Sequence, residues 1–214
     1  MQKQKRLKWA LERRKWSTRI WSTVIFSDES RFELSPGDSR ARVIRTKNEA
    51  FHPDCLVRRV QHAASVMVWG CIGRAGPGRL HVISGTVNAE KYQGILQESL
   101  LPSLETLRPL GDFLFQQDGA SCHTARTTHQ WLATRNIGTL PWPSSSPDLN
   151  PIENVWGDMK KVLRRQRPRT MASLKQKVQE IWDGITPAAC ASLYDSMPSR
   201  IAAVIAARGD VTKY

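Results

Sequence analysis

The chain has 214 residues, 40% of them apolar, and Lys and Arg outnumber Asp and Glu by 32 to 19, a formal net charge of +13. That length suits one large domain or a domain with an extension. No apolar run approaches the ~20 residues of a membrane span, and the basic N-terminus lacks the apolar stretch of a signal peptide. A soluble intracellular protein is therefore expected, and the basic excess asks for a polyanionic partner, nucleic acid before membrane.

Residues 1–22 read as a basic, Trp-containing helix or linker. Residues 1–19 alone hold eight basic side chains (Lys3, Lys5, Arg6, Lys8, Arg13, Arg14, Lys15 and Arg19) against Glu12. Residues 23–27 form a short apolar, β-branched run, which reads as a buried strand ending at Asp28. Residues 31–34 and 41–45 read as further short strands around a turn at Pro36-Gly37-Asp38, and 46–62 as irregular and basic. Residues 65–72 give the strongest strand signal. Residues 73–78, with three glycines and a proline, make a turn, and 79–84 return as a partner strand. From 88 to about 107 the spacing is helical, with Tyr92, Ile95, Leu96 and Leu100 on one face. Residues 112–116 are a short strand that runs at once into Gln117-Asp118-Gly119. Residues 124–136 read as a helix with Trp131 and Leu132 on its buried side, and 139–140 as a brief extended piece.

Residues 141–151 are a Pro/Ser-rich loop. A helix follows, in which Ile152, Val155, Trp156, Met159 and Leu163 recur at three- and four-residue steps until Pro168 stops it. Met171, Leu174, Val178, Ile181, Trp182 and Ile185 form another helical stripe. Residues 187–207 are largely helical and close at Gly209, which suits a C-cap. Strands first, then strand–helix alternation, then helices predict a mixed α/β domain with a helical C-terminal side. A second basic cluster comprises Lys160, Lys161, Arg164, Arg165, Arg167 and Arg169. One such cluster suits a solvated helix face as well as a ligand; two, with the strongly basic total, favour DNA or RNA. Cys55, Cys71, Cys122 and Cys190 are widely spaced without a C-x-x-C pair, so neither a zinc ribbon nor a disulfide framework is indicated.

Phosphodiester chemistry commonly uses two divalent metals held by carboxylates. Mg²⁺ prefers hard oxygen ligands and keeps several waters, so few carboxylates suffice. Three acids stand at the ends of core elements, where chain direction can converge them: Asp28, Asp118 and Glu153. Each also has a purely structural reading. Asp28 suits a turn cap with Ser30, and Asp118 beside Gly119 an Asx-turn. Glu153 suits position N3 of a capping box opened by Asn150, with Pro151 at N1. Asp148 and Glu29 compete as ligands.

Four blocks carry a resemblance: Ser27-Asp-Glu-Ser-Arg-Phe-Glu-Leu34, Ser65-Val-Met-Val-Trp-Gly-Cys71, Gln116-Gln-Asp-Gly-Ala120 with His123-Thr-Ala125, and Trp142-Pro-Ser-Ser-Ser-Pro-Asp-Leu-Asn-Pro-Ile-Glu-Asn-Val-Trp156. In this order they resemble the catalytic domain of Tc/mariner-superfamily transposases, as does the closing Arg208-Gly-Asp-Val-Thr-Lys-Tyr214. The resemblance runs from about Leu7 to Tyr214. It implies a ribonuclease-H-like fold (α/β, a mixed central sheet flanked by helices). It also implies a triad of Asp28, Asp118 and Glu153 as catalytic and metal-binding residues, two Mg²⁺ ions per site with Mn²⁺ as a substitute, and DNA cleavage followed by strand transfer into a TA target. Thirty-four residues lie between Asp118 and Glu153; that spacing, with Glu third, resembles the Tc-one-like branch.

The implied partners are double-stranded DNA and further copies of the chain in a homo-oligomer on DNA, with no membrane, and the implied location is the nucleus. Family members carry paired helix-turn-helix modules ahead of this domain. Residues 1–22 are too short for one, so the expectation is a basic linker or helix (1–22) followed by a catalytic domain (23–214), without the recognition domain. The segment after Asp118 reads Gly-Ala-Ser-Cys-His, where many relatives have Asn-Asp or Asn-Ala and a Pro or Ala before the His. The reading from another class is a catalytically silent or domesticated remnant acting as a DNA-binding or dimerisation module.

Overall fold

The computed structural model describes residues 2–34, 64–107 and 112–214. The expected turn at Pro36 and strand at 41–45, and Cys55, lie outside them. A six-stranded sheet runs in the order β3-β2-β1-β5-β6, with β4 also paired to β2. Its centre is the long β1 (Val24–Glu33), antiparallel to β2 (Ser65–Gly73) and parallel to β5 (Leu114–Gln116). The short β3 (Gly76–Pro77), β4 (His81–Ile83) and β6 (Gly138–Thr139) complete it.

The strand expected to end at Asp28 continues to Glu33 and absorbs the separate strand expected at 31–34. The cause is β2, nine residues long, which pairs with β1 as far as Glu33↔Ser65. Pairing with β5 stops at Phe26↔Gln116, so Asp28 lies just past the parallel ladder although its own strand goes on.

Alternation along β1 distributes its side chains between two cores. Val24, Phe26 and Phe32 face one cluster, filled from α1 (Gln2–Glu12), α2 (Thr18–Trp21), α7 (Ile152–Gln166), α8 (Met171–Asp183), α9 (Pro187–Asp195) and α10 (Met197–Ala206). Ile25 faces the other. That side is built from α3 (Ala89–Ile95), a π-helical turn (Leu96–Leu100), α4 (Leu101–Leu107), α5 (Ser121–Thr124) and α6 (Arg126–Ala133). The apolar face expected at Tyr92, Ile95, Leu96 and Leu100 is buried, and Asn88 caps its start by accepting from the Lys91 N–H at 2.9 Å. Trp131, expected inside, is only half-buried, with the Arg135 guanidinium 3.9 Å over its ring, while Leu132 is buried.

Pro168 ends α7 as expected, through Arg167 in a left-handed conformation at φ 48°. At the C-terminus, Gly209 adopts φ 85° and donates to the Val204 carbonyl at 2.8 Å. A Cβ there would also collide with the Lys3 carbonyl of α1. No helix among the described residues is long and apolar enough to cross a membrane.

Candidate active site

Asp28 projects on the α7 side of β1. Trp156 donates its indole N–H to Asp28 Oδ2 at 3.2 Å. The residue opposite Asp28 on β2 is Gly70, and the bare backbone there admits the rings of Trp156 and Trp182, which stack at 5.1 Å and 25°. Just below Asp28, Ser27 binds Gln116 twice, Oγ to its carbonyl at 2.8 Å and N–H to its side-chain oxygen at 3.1 Å. This clamp ties β1 to β5 where their ladder ends and so sets the separation of Asp28 from Asp118.

Asp118 follows β5 in a turn that it closes itself, accepting from the Ala120 N–H at 2.9 Å, as the Asx-turn reading anticipates. The same oxygen, Oδ1, takes the His123 Nδ1–H at 2.6 Å. His123 Nε2 lies 3.3 Å from Glu29 Oε1, and Tyr92 packs on the ring at 4.0 Å. Burial opposes charge on His123, but its hydrogen bonds to Asp118 and Glu29 outweigh it and push the imidazole up to about 10. His123 is therefore an imidazolium that donates from both nitrogens. Its hydrogen bond is the main reason the Asp118 carboxyl lies below the usual range, against the contrary effect of burial.

Glu153 stands in the first turn of α7. The capping box expected there does not form. Asn150 gives its side-chain N–H to the Ser27 carbonyl at 3.1 Å, and its oxygen makes only a long contact of 3.4 Å with the Ile152 N–H. Asn150 thus sews the start of α7 to the residue before Asp28, and Glu153 is left free to face Asp28. Asp148, a competing ligand on sequence grounds, is 2% exposed and gripped by Arg6 at 2.9 and 2.7 Å. Burial pushes its carboxyl up, but Arg6 and Thr212 hold it below the usual range. Glu29, the other competitor, points to the opposite face of β1 and serves His123.

Asp28, Asp118 and Glu153 line one cleft of about 390 Å³, walled by Trp142, the 143–147 loop and Asn150. The crowding leaves an electrostatic mark. Burial first, then the charges of Glu153, Glu29 and Asp118, push the Asp28 carboxyl up to about 8. Glu153 is raised by burial, with Lys160 and a hydrogen bond to Asp28 acting in the opposite direction. The repulsion that raises Asp28 is one that a bound divalent cation would relieve. All the donors are hard oxygens, which fits Mg²⁺ or Mn²⁺. Asp28 and Glu153 are brought together; Asp118 reaches the same cleft but is turned toward His123. Among the described residues no group of three His, Cys, Asp or Glu side chains is arranged to hold an ion as it stands.

Sequence reasoning gives His123 and Arg6 no role in the site, Trp156 only a place in the apolar stripe of α7, and Asn150 only a helix cap. Trp156 had a signal, since it lies three residues after Glu153 and so on the same helical face. Arg6 had none; it was counted among eight basic residues, of which Arg6 and Arg13 are buried.

The model of a family described as DDE superfamily endonuclease matches residues 23–175. The chain is 35% identical over 211 residues to the transposable element Tc1 transposase of Caenorhabditis elegans, covering 98% of this chain and 77% of that relative. In fold it is similar to the Mos1 transposase catalytic domain solved with raltegravir and Mg, with a TM-score of 0.78, 21% identity and coverage of 99% and 97%. It is also similar to the Mos1 strand transfer complex, at 0.77, 22%, 98% and 61%. The mixed sheet flanked by helices is thus the ribonuclease-H-like fold that the resemblance implied.

Proposed function

The chain belongs to the DDE superfamily endonucleases, and on that premise we propose that it cuts DNA at transposon ends and joins the freed 3′-OH to a TA target. In this reading Asp28, Asp118 and Glu153 are the metal-binding carboxylates, and residues 23–214 are the catalytic domain, with 1–22 a basic helical segment packed on it. The carrying observation is the convergence of these three acids on one cleft, with the Asp28 carboxyl pushed up to about 8 by burial and by its acidic neighbours.

When bound, a pair of Mg²⁺ ions, or Mn²⁺ in its place, supplies activation of the attacking oxygen and stabilisation of the leaving oxygen. The chain's own residues prepare the donors. Trp156 fixes one oxygen of Asp28. Among the described residues, His123 and the Ala120 N–H both fall on Oδ1 of Asp118, which leaves Oδ2 for a ligand. Asn150 and the Ser27–Gln116 clamp hold the three supporting segments in register. Both reaction steps are displacements at phosphorus, so one site serves each. The partners are double-stranded DNA and further copies of the chain assembled on it, and the place of action is the nucleus. The presence of all three acids on one cleft favours this reading over that of a catalytically silent remnant.

The direct test is strand transfer with pre-cleaved transposon ends, which needs no end-recognition step. Joining at TA that depends on Mg²⁺ or Mn²⁺ and stops with a chelator is expected. Bound DNA that is never joined, with either metal, would overturn the reading.

The basic cluster on α7 supplies a second test. Lys161, Arg164 and Arg165 are exposed along the helix that begins at the cleft. Each phosphate contact contributes about 0.9 to the slope of log affinity against log salt. Replacing all three by Ala should flatten that slope by about 2–3 on duplex DNA, without sequence preference. An unchanged slope would remove this face from the DNA path.

A further inference from the structure

Gln2, Arg6 and Trp9 lie on one face of α1, at i, i+4 and i+7, and all three hold the loop that forms a wall of the cleft. Gln2 donates to the Ser144 carbonyl at 2.9 Å, and Trp9 donates its indole N–H to the Pro141 carbonyl at 2.5 Å. Arg6, 2% exposed, forms a two-pronged pair with Asp148 at 2.9 and 2.7 Å and a longer bond of 3.3 Å to the Ser145 carbonyl. Its remaining donors bind the Gly209 and Asp210 carbonyls at 3.0 and 3.1 Å. Thr212 completes Asp148 through its N–H at 3.0 Å and its hydroxyl at 2.9 Å.

From Asp148 the contacts lead to the start of α7. Arg200 donates to the Asp148 carbonyl at 2.8 Å and to the Asn154 side chain at 2.6 Å. Asn154 adjoins Glu153. Ser145, in the same loop, is held at φ 51°, a left-handed conformation that a non-glycine residue keeps only when its surroundings dictate it. A buried ion pair is weak evidence for stability, because desolvation of both charges offsets their attraction; fixing one arrangement among several is its better-attested use. Here the arrangement fixed is the loop that delivers the third carboxylate.

We propose that Arg6 is a positioning residue for the reaction: from α1, through Asp148, it holds the 144–148 loop and the first turn of α7 so that Glu153 faces Asp28. The inference rests on the reading of Glu153 as a metal ligand. It also makes α1 a mechanical part of the site, so that a pull or a rotation on this helix changes the metal centre without touching it.

The test is Mn²⁺ binding alone, followed by electron paramagnetic resonance of the free ion, below the melting onset of each variant. Arg6→Lys keeps the charge but loses the planar fork, and should weaken Mn²⁺ about tenfold, in the range typical of residues that orient metal ligands. Thr212→Val, a mild change that removes one donor from Asp148, should weaken it by about two- to threefold and keeps the test open if Arg6→Lys does not fold. Lys3→Ala, on the same helix but in an exposed pair with Asp210, should leave Mn²⁺ affinity unchanged. A merely structural Arg6 would lower the melting temperature and leave Mn²⁺ affinity in the folded protein as it was. Wild-type affinity in Arg6→Lys and Thr212→Val, beside weakened binding in Glu153→Gln, overturns this inference alone. Wild-type affinity in Glu153→Gln overturns the reading of the site and takes the inference with it.

Discussion

Asp118→Asn is expected to abolish metal-dependent nicking and strand transfer while leaving DNA binding nearly intact. The amide has the shape of the carboxylate, and its oxygen can still accept from His123 and from the Ala120 N–H, the two contacts that shape this turn. What it cannot supply is the negative charge that holds a divalent ion against its hydration shell. Losing a metal ligand removes several kcal/mol of transition-state stabilisation, which corresponds to a rate loss of about 10³-fold or more. Affinity for duplex DNA depends on Lys and Arg contacts to phosphates and should change little. Gel-based nicking and strand-transfer assays, beside a filter-binding curve at one salt concentration, separate the two effects. Wild-type nicking by this variant would falsify the assignment of Asp118.

The second large effect is expected at Gly70, outside the triad. A Cβ on Gly70 would lie 2.8 Å from Cη2 of Trp156 and 2.8 Å from Cη2 of Trp182. Neither ring can move away cheaply. Both are 1% exposed, they stack on each other, and each is anchored by its indole N–H, Trp156 to Asp28 and Trp182 to the Gly78 carbonyl at 2.7 Å. Overpacking of this kind costs about 1–3 kcal/mol, which for a chain of this size lowers the melting temperature by about 2–12 °C. Because the displaced ring is the one that orients Asp28, activity per folded molecule should also fall. Gly157→Ala is the control: nothing lies within 4 Å of a Cβ there, and it sits inside α7, where Ala is favoured over Gly by about 0.5–1 kcal/mol. Equal melting temperatures for the two variants would refute the packing argument.

Glu153 shows where local reasoning stops. Asn-Pro-Ile-Glu matches a helix start with an acid at N3, so the capping box was the natural expectation. The helix does start there, but the Asn150 amide is turned to donate to the Ser27 carbonyl, 123 positions away in sequence, and its oxygen meets the Ile152 N–H at 3.4 Å rather than the Glu153 N–H. Asp148 shows the converse. An acid five residues before Glu153 is a plausible ligand until Arg6, 142 positions away, is seen to hold it. In both cases the deciding partner is remote in the chain, and hydrogen-bonding capacity alone does not say which of two eligible partners is met.

The sequence by itself determined what depends on neighbours in the chain: the apolar runs that become β1, β2 and β5, the helical stripes of α3, α7 and α8, the proline that stops α7, and the basic excess that points to nucleic acid. The four motif blocks carried the family and the three candidate acids, because side chains of a given type at fixed spacing are visible without coordinates. Only the tertiary structure decided how long β1 is, since that depends on the partner strand β2. It also decided which acids meet in the cleft, since burial and opposing charges arise only when remote segments pack. And it separated Arg6 from the other basic residues of the N-terminal run: a cation in water and a cation in a buried fork are the same letter in the sequence, and only the carboxylate facing it tells them apart.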